Sequence, residues 1–193
     1  TGKLSLKFEG VDHTVINALR RVCGNQLPTY GFPMELINVT ENTTSAFNND
    51  IIRTRLVSLP ILNIDNEIYY LDEEYMGDYN NRQKHPEEKQ IELYINAHNN
   101  TSEIMNVTTN DAKCYYDNER VYPYNEEYPY LIIKLRPNDS FKCHMKGILG
   151  IGKKHQCFNS AITSHTFEDD GSYILNIETL GKTKTDNIIK RGC

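Results

Sequence analysis

Asp12-His13-Thr14-Val15-Ile16-Asn17-Ala18-Leu19-Arg20-Arg21-Val22-Cys23-Gly24-Asn25-Gln26 has the pattern of an amphipathic helix. Its apolar members Val15, Ile16, Leu19, Val22 and Cys23 form one continuous stripe at helical spacing. Asp12 stands where an N-cap belongs, and Pro28 stops the helix. At 1.5 Å per residue such a helix is about 22 Å long. Consecutive Arg20 and Arg21 splay by about 100° on it, and a solvated face accounts for Arg20 as well as a functional role does.

Outward from this helix the period changes to two. Leu4, Leu6 and Phe8 alternate with polar residues, the pattern of a half-buried strand. Residues 34–39 read as a strand, and Asp50 as the cap of a short helix over 51–58 closed by Pro60. The chain is acidic, Tyr-rich and irregular over 62–90, then alternates again at 91–95 and 104–107. A Tyr- and Pro-rich loop is expected over 115–130, and a strand over 131–135 ending in the turn Arg136-Pro137-Asn138-Asp139. Residues 141–149, 161–167 and 173–177 read as further strands, and Thr185-Asp186 opens a last helix. Few helices among strands connected this way give an α+β class. A two-turn helix is marginal alone, so the natural chain is expected to continue past Cys193; the start at Thr1, without Met, is expected to be processed or cut.

A net charge of -5 argues against a surface built mainly to hold phosphates. No apolar run approaches the ~20 residues that cross a bilayer, so a soluble, intracellular protein without membrane or direct nucleic-acid contact is expected. Five cysteines without CxxC spacing (Cys23, Cys114, Cys143, Cys157 and Cys193) make a poor disulfide framework and fit a reducing compartment. The Asn-x-Thr triplets at Asn38 and Asn106 are expected by chance in so Asn-rich a chain.

Residues 147–153 fit G-x-x-x-x-G-K, which would make a small nucleotide-binding enzyme the alternative function. The phosphate loop needs Ser or Thr next and then a helix, whereas Lys154 and strand-like sequence come instead, so the glycines read as turn residues. Cys143, His144, His155, Cys157 and His165 lack the close ligand pairs of a zinc site, and adjacent Cys143 and His144 would point to opposite faces of a strand. No cysteine sits at an expected helix N-terminus that would activate it. No catalytic residue, metal or cofactor is expected.

Several segments, taken in order, resemble the alpha-type assembly subunit of multisubunit RNA polymerases, the D-type subunit of archaea and the third subunit of eukaryotic polymerase II. Residues 3–21 resemble that family's opening strand and its N-x-L-R-R helix, here Asn17-Ala18-Leu19-Arg20-Arg21. The segment Ile51-Ile52-Arg53-Thr54-Arg55-Leu56-Val57-Ser58-Leu59-Pro60-Ile61 is similar to "F-I-A-H-R-L-G-L-I-P-L", with Thr54 in place of the usual His. Residues 91–111 are similar to the "L-x-V-x-N-x-T" insert strands. Residues 131–155, ending in Gly150-Ile151-Gly152-Lys153-Lys154-His155, resemble "I-x-K-L-x-P-G-Q...G-I-G-K-x-H". Gln156-Cys157-Phe158 departs from the usual "A-K-W", and 62–113 lacks the cysteine cluster that many relatives carry, so no metal is expected there. Such an insert fits a divergent lineage, such as that of a large DNA virus.

The resemblance implies a noncatalytic scaffold of DNA-directed RNA polymerase with two domains. A discontinuous dimerisation domain of antiparallel sheet and helices, over 1–61 and 142–193, would carry an inserted, mostly β domain over 62–141. The first and last helices would pair with a smaller alpha-like subunit, the first through Val15, Ile16, Leu19, Val22 and Cys23. Arg20, Arg21, Arg55, Lys153, Lys154 and His155 would dock the two large catalytic subunits, Arg21 matching the family arginine implicated in docking the second-largest. Small zinc-containing polymerase subunits are further implied partners. The implied location is the nucleus, or the host cytoplasm and virion for a viral lineage.

Overall fold

The computed structural model describes residues 2–62, 64 and 66–192. In chain order its main elements begin β1 (Lys3–Phe8), α1 (His13–Arg21), β2 (Thr29–Gly31), β3 (Ile37–Asn42), α2 (Asn49–Val57), β4 (Ile91–His98) and β5 (Met105–Thr108). They continue with β6 (Ala112–Tyr116), β7 (Glu119–Val121), β8 (Leu131–Leu135), β9 (Ser140–Gly150), β10 (Ala161–Phe167), β11 (Tyr173–Thr179) and α3 (Thr185–Gly192). The class is α+β with antiparallel pairing.

Two compact units divide the chain: Thr1–Tyr30, Leu62–Met76 and Leu149–Cys193 form one, Gly31–Ile61 and Gly77–Ile148 the other. These units break the chain at 30/31, 61/62, 76/77 and 148/149, where the resemblance implied breaks at 61/62 and 141/142. Residues 37–42 lie with the second unit because β3 pairs with β9, and α2 packs on β3 and β8. Residues 62–76 lie with the first, where Asn66 and Arg191 both donate to the Pro28 carbonyl. Cys193 lies outside the described residues.

In the first unit, β1, β11 and β10 form a sheet in that order. Alternation puts Leu6, Phe8, Leu175 and Ile177 on one face, where they pack with Cys23, Leu27 and Ile188. Lys3, Ser5 and Lys7 take the other face, exposed. The helix expected over 12–26 is α1 followed by a π-helical turn, Val22–Gln26. That turn leaves carbonyls without ordinary helical partners, and tertiary donors supply them. Thr163 Oγ1 donates to Arg20 O (2.9 Å), Ser160 Oγ to Cys23 O (2.6 Å), Ser160 N to Gly24 O (3.1 Å) and Lys153 N to Asn25 O (2.8 Å).

In the second unit, β3, β9, β4, β6 and β7 pair in sequence, while β5 and β8 form a separate pair. Ile91, Leu93, Ile95 and Ala97 point into the core with Cys143 and Met145 from β9. The loop expected over 115–130 is partly wrong: β6 and β7 form a hairpin whose turn residues Asp117 and Asn118 both have positive φ, 50° and 68°. Such a two-residue turn matches the strand twist, and Asp and Asn tolerate it. The strand expected from 34 begins at Ile37, after a 3-10 turn over Met34–Leu36. Asn48, not Asp50, caps α2, its Oδ1 accepting from Ile51 N at 2.9 Å; Asp50 lies in the first turn and pairs with Arg53 at 3.5 Å.

Candidate assembly interface

Asp12 does cap α1, its Oδ1 accepting from Thr14 N at 2.7 Å. The Thr14 hydroxyl and then the Thr14 amide hold its carboxyl below the usual range. The sheet divides the apolar stripe of this helix in two. Ile16 and Cys23 are 0% and 2% exposed and belong to the core. Leu19 and Val22 are half-buried against it, and Val15 is 48% exposed. With the exposed Ala18, these three form a row at i, i+3, i+4 and i+7 that keeps accessible apolar surface. Ile189 of α3, also half-buried, packs against the same core.

Arg20 and Arg21 sit in the last turn of α1, where cations complement the helix dipole. Arg20 is folded back, Nε and Nη2 donating to Asn17 Oδ1 at 3.2 and 3.0 Å, while Arg21 is exposed. The Lys153 amide bond to Asn25 O ties the Lys153-Lys154 loop to the end of the same helix, with both lysines exposed. His155 is half-buried, and its Nδ1 accepts from Cys157 N at 3.2 Å, capping the 3-10 turn Gln156–Phe158.

The glycines around this loop answer to packing. Gly147 and Gly150 are strand residues of β9, a correction to their reading as turn residues. A Cβ on Gly147 would come within 2.6 Å of Ile61, and one on Gly150 within 2.8 Å of the Phe158 ring. A Cβ on Gly152 would meet backbone, Asn25 Cα, at 2.9 Å. The next helical element after Lys153 is the three-residue 3-10 turn Gln156–Phe158, so no α-helix N-terminus faces a phosphate there, and the nucleotide-loop mechanism fails on geometry.

Cys143 and His144 take opposite faces of β9. Burial pushes the Cys143 thiol up to about 12, while the His144 ring stacks on Tyr94 at 4.3 Å between centroids. His165 faces His13 at 5.3 Å. Among the described residues no group of three or more His, Cys, Asp or Glu side chains is placed to hold a metal ion. None of their helices is long and apolar enough to cross a membrane.

A family model for the RNA polymerase Rpb3/Rpb11 dimerisation domain matches residues 5–193. The chain belongs to that family. It is also similar to a protein of Acanthamoeba polyphaga mimivirus named as a DNA directed RNA polymerase subunit, R470, with 21% identity over 216 aligned residues. The alignment takes in 99% of this chain, which spans 60% of that relative's length.

Within this dimerisation-domain chain, Arg20, Arg21, Lys153, Lys154 and His155 share the first unit, whereas Arg55 belongs to the second. Arg55 is exposed, with its guanidinium 5.8 Å from the centre of the Phe47 ring. Sequence reasoning missed a groove of about 560 Å³ beside the end of α1, where Val22 and Leu27 meet Leu71, Met76 and Ile151 below Lys153 and Lys154. Tyr69 and Tyr70, also lining it, are 52% and 70% exposed. No periodicity marks 62–76; the adjacent Tyr-Tyr-Leu of 69–71 in an acidic stretch was the one available signal.

Proposed function

We propose that this chain is a noncatalytic assembly subunit of a DNA-directed RNA polymerase. It pairs with a smaller alpha-like subunit and, as a pair, docks two large catalytic subunits that carry the polymerisation chemistry. The observation that carries this reading is the accessible row Val15, Ala18, Leu19 and Val22 on a helix whose other side is already committed to the core. We assign pairing to α1 and α3, within 1–30 and 149–193, the segments of the expected dimerisation domain that share one core. Obligate interfaces bury on the order of 2,000 Å² or more, so the row would be the centre of a larger contact.

Arg21, Lys153 and Lys154 are exposed and clustered about the end of α1, which supports their assignment to the docking surface. Arg55 would make a separate contact from the second unit. Arg20 and His155 are engaged internally, so their part would be to hold the helix end and the loop in shape. The site of action would be that of the polymerase: the nucleus, or the host cytoplasm and virion for a viral enzyme. A tagged pull-down from the native source, with mass spectrometry of the proteins that co-purify, tests the reading. Two very large polymerase subunits with a small alpha-like chain support it; a clean monomer rejects it.

A further inference from the structure

The exposed face of the β3-β9-β4-β6-β7 sheet carries an unusual combination of side chains. Register places Lys146, Glu92, Tyr115 and Arg120 in one row across β9, β4, β6 and β7. Asn38, His144, Tyr94 and Lys113 form the next row, across β3, β9, β4 and β6. Tyr94 lies between two rings, stacked on His144 at 4.3 Å with planes 5° apart and edge-on to Tyr115 at 5.9 Å. On either side of it lie hollows of about 450 and 430 Å³, one beside Tyr115 and one beside His144. Lys113 lines both.

Cross-strand ring pairs stabilise a sheet by themselves, which accounts for the stack but not for the charges around it. The acids on and beside this face keep their charge, but each is held by partners within the chain. Glu92 accepts from the Tyr94 hydroxyl and from Gln90 Nε2 (3.1 Å), Glu41 pairs with Lys142 (2.6 Å), and Asp111 accepts from Thr108 N (2.8 Å). Lys113, Lys146 and Arg120 are exposed and have no carboxylate at ion-pair distance among the described residues. His144 Nε2, 3.6 Å from Glu92 Oε2, makes no hydrogen bond. In a chain of net charge -5 this is a local cationic surface set around aromatic rings.

We propose that this sheet face binds single-stranded nucleic acid. One base lies against Tyr115 in the first hollow and a neighbouring base against the free face of His144 in the second. Lys113, between the hollows, meets the phosphate that joins them, and Lys146 and Arg120 meet those that flank it. Stacking platforms edged with cations hold single strands in this way without reading their sequence. Five strands at a spacing of about 4.8 Å span roughly 19 Å, room for a short run of nucleotides. The expectation from total charge, that nucleic acid is not contacted, gives way locally because Lys113, Lys146 and Arg120 project from this face with no carboxylate at ion-pair distance among the described residues. The site lies wholly in the second unit, and the proposal does not rest on the pairing role of α1.

The test is fluorescence anisotropy of a labelled oligouridine titrated with the full 193-residue chain. Saturable binding is expected, weakened roughly ten-fold by Tyr115→Ala and by Lys113→Glu, with circular dichroism showing both variants folded. Three phosphate contacts give a slope of about −2 in log K against log salt, shallower by about 0.7 in Lys113→Gln. Lys134→Glu, the same charge change on β8, leaves binding unaltered. Absence of saturable binding overturns the proposal, as does equal loss in Lys134→Glu or no loss in both face variants. If the oligonucleotide does not bind and Lys113→Glu instead releases a polymerase subunit from the assembled complex, the face is a protein contact and the proposal is also overturned.

Discussion

Val15→Asp separates pairing from folding, because Val15 lies on the accessible side of a helix whose inner side is core. Within the chain this residue is 48% exposed, so the substitution removes little internal packing. It falls in the first turn of α1, where a carboxylate interacts favourably with the helix dipole. The half of the side chain already covered is worth roughly 1 kcal/mol, offset in part by the dipole, so the isolated chain should lose no more than about 1 kcal/mol and stay folded. In a pair that covers this row the same carboxylate is buried. Full burial of a Val side chain is worth about 1.5–3 kcal/mol, so the half still open here contributes roughly 1 kcal/mol to pairing. An uncompensated buried charge costs several kcal/mol more. Together these give about 4 kcal/mol, a loss of roughly a thousand-fold in affinity. Co-expression with the proposed alpha-like partner followed by size-exclusion chromatography reads the pairing, and a thermal melt reads the fold. Leu19→Asp should also abolish pairing, but at some cost to the core it touches. Wild-type pairing by a folded Val15→Asp chain would refute the reasoning, since an interface centred on this row cannot accept the charge.

Gly152→Ala should lower stability by about 1–3 kcal/mol, as strain from overpacking does, because its Cβ meets the Asn25 backbone at 2.9 Å; an unchanged melting temperature would contradict that packing. Asn48→Ala should cost about 1 kcal/mol in urea unfolding, while Asp50→Ala stays within about 0.5 kcal/mol; the reverse order would restore Asp50 as the cap of α2. Burial pushes the Cys114 and Cys143 thiols both up to about 12 from 9.0, so the unfolded chain ionises first. Stability that these thiols contribute is complete below pH 9 and is lost as pH rises toward 12. The Cys114→Val, Cys143→Val chain should show a flatter decline over that window, and an unchanged slope would remove the thiols as its cause.

Much of the fold was legible because it rests on local periodicity. The alternation of Leu4, Leu6 and Phe8 gave β1, and 3.6-residue spacing with Asp12 gave α1. The features that escaped the sequence depend on tertiary partners or on unusual backbone. The Asp117-Asn118 turn lay among tyrosines that read as a loop, yet its two positive φ values close the β6–β7 hairpin. The π-helical turn is held by Ser160, Thr163 and Lys153, more than 120 residues downstream, which no window along the helix contains. The resemblance implied that segment 62–76 belongs to an insert. Its place is set instead by bonds such as those from Arg191 to the carbonyls of Pro28 and Ile68. The candidate residues were legible as types, but which of them remain accessible was not: periodicity gives a stripe, and only packing divides it.

That division arises from how the end of α1 is anchored. An ordinary helix end would leave its last carbonyls to solvent and could rotate about its axis at small cost. Here the carbonyls of Arg20, Cys23 and Gly24 are held by Ser160 and Thr163 at the edge of the sheet, and that of Asn25 by the Lys153 amide. These bonds fix the rotation of the helix as well as its position. With Ile16 and Cys23 turned inward, Val15 and Ala18 are left accessible, Leu19 lies half-buried at the margin of the core, and Lys153 must stand beside the helix end. A partner would therefore meet a preformed row, with less side-chain and backbone order to be imposed on binding. The same anchors place the apolar row and the cationic loop on one rigid edge, so a subunit seated on the first would come to lie next to the second.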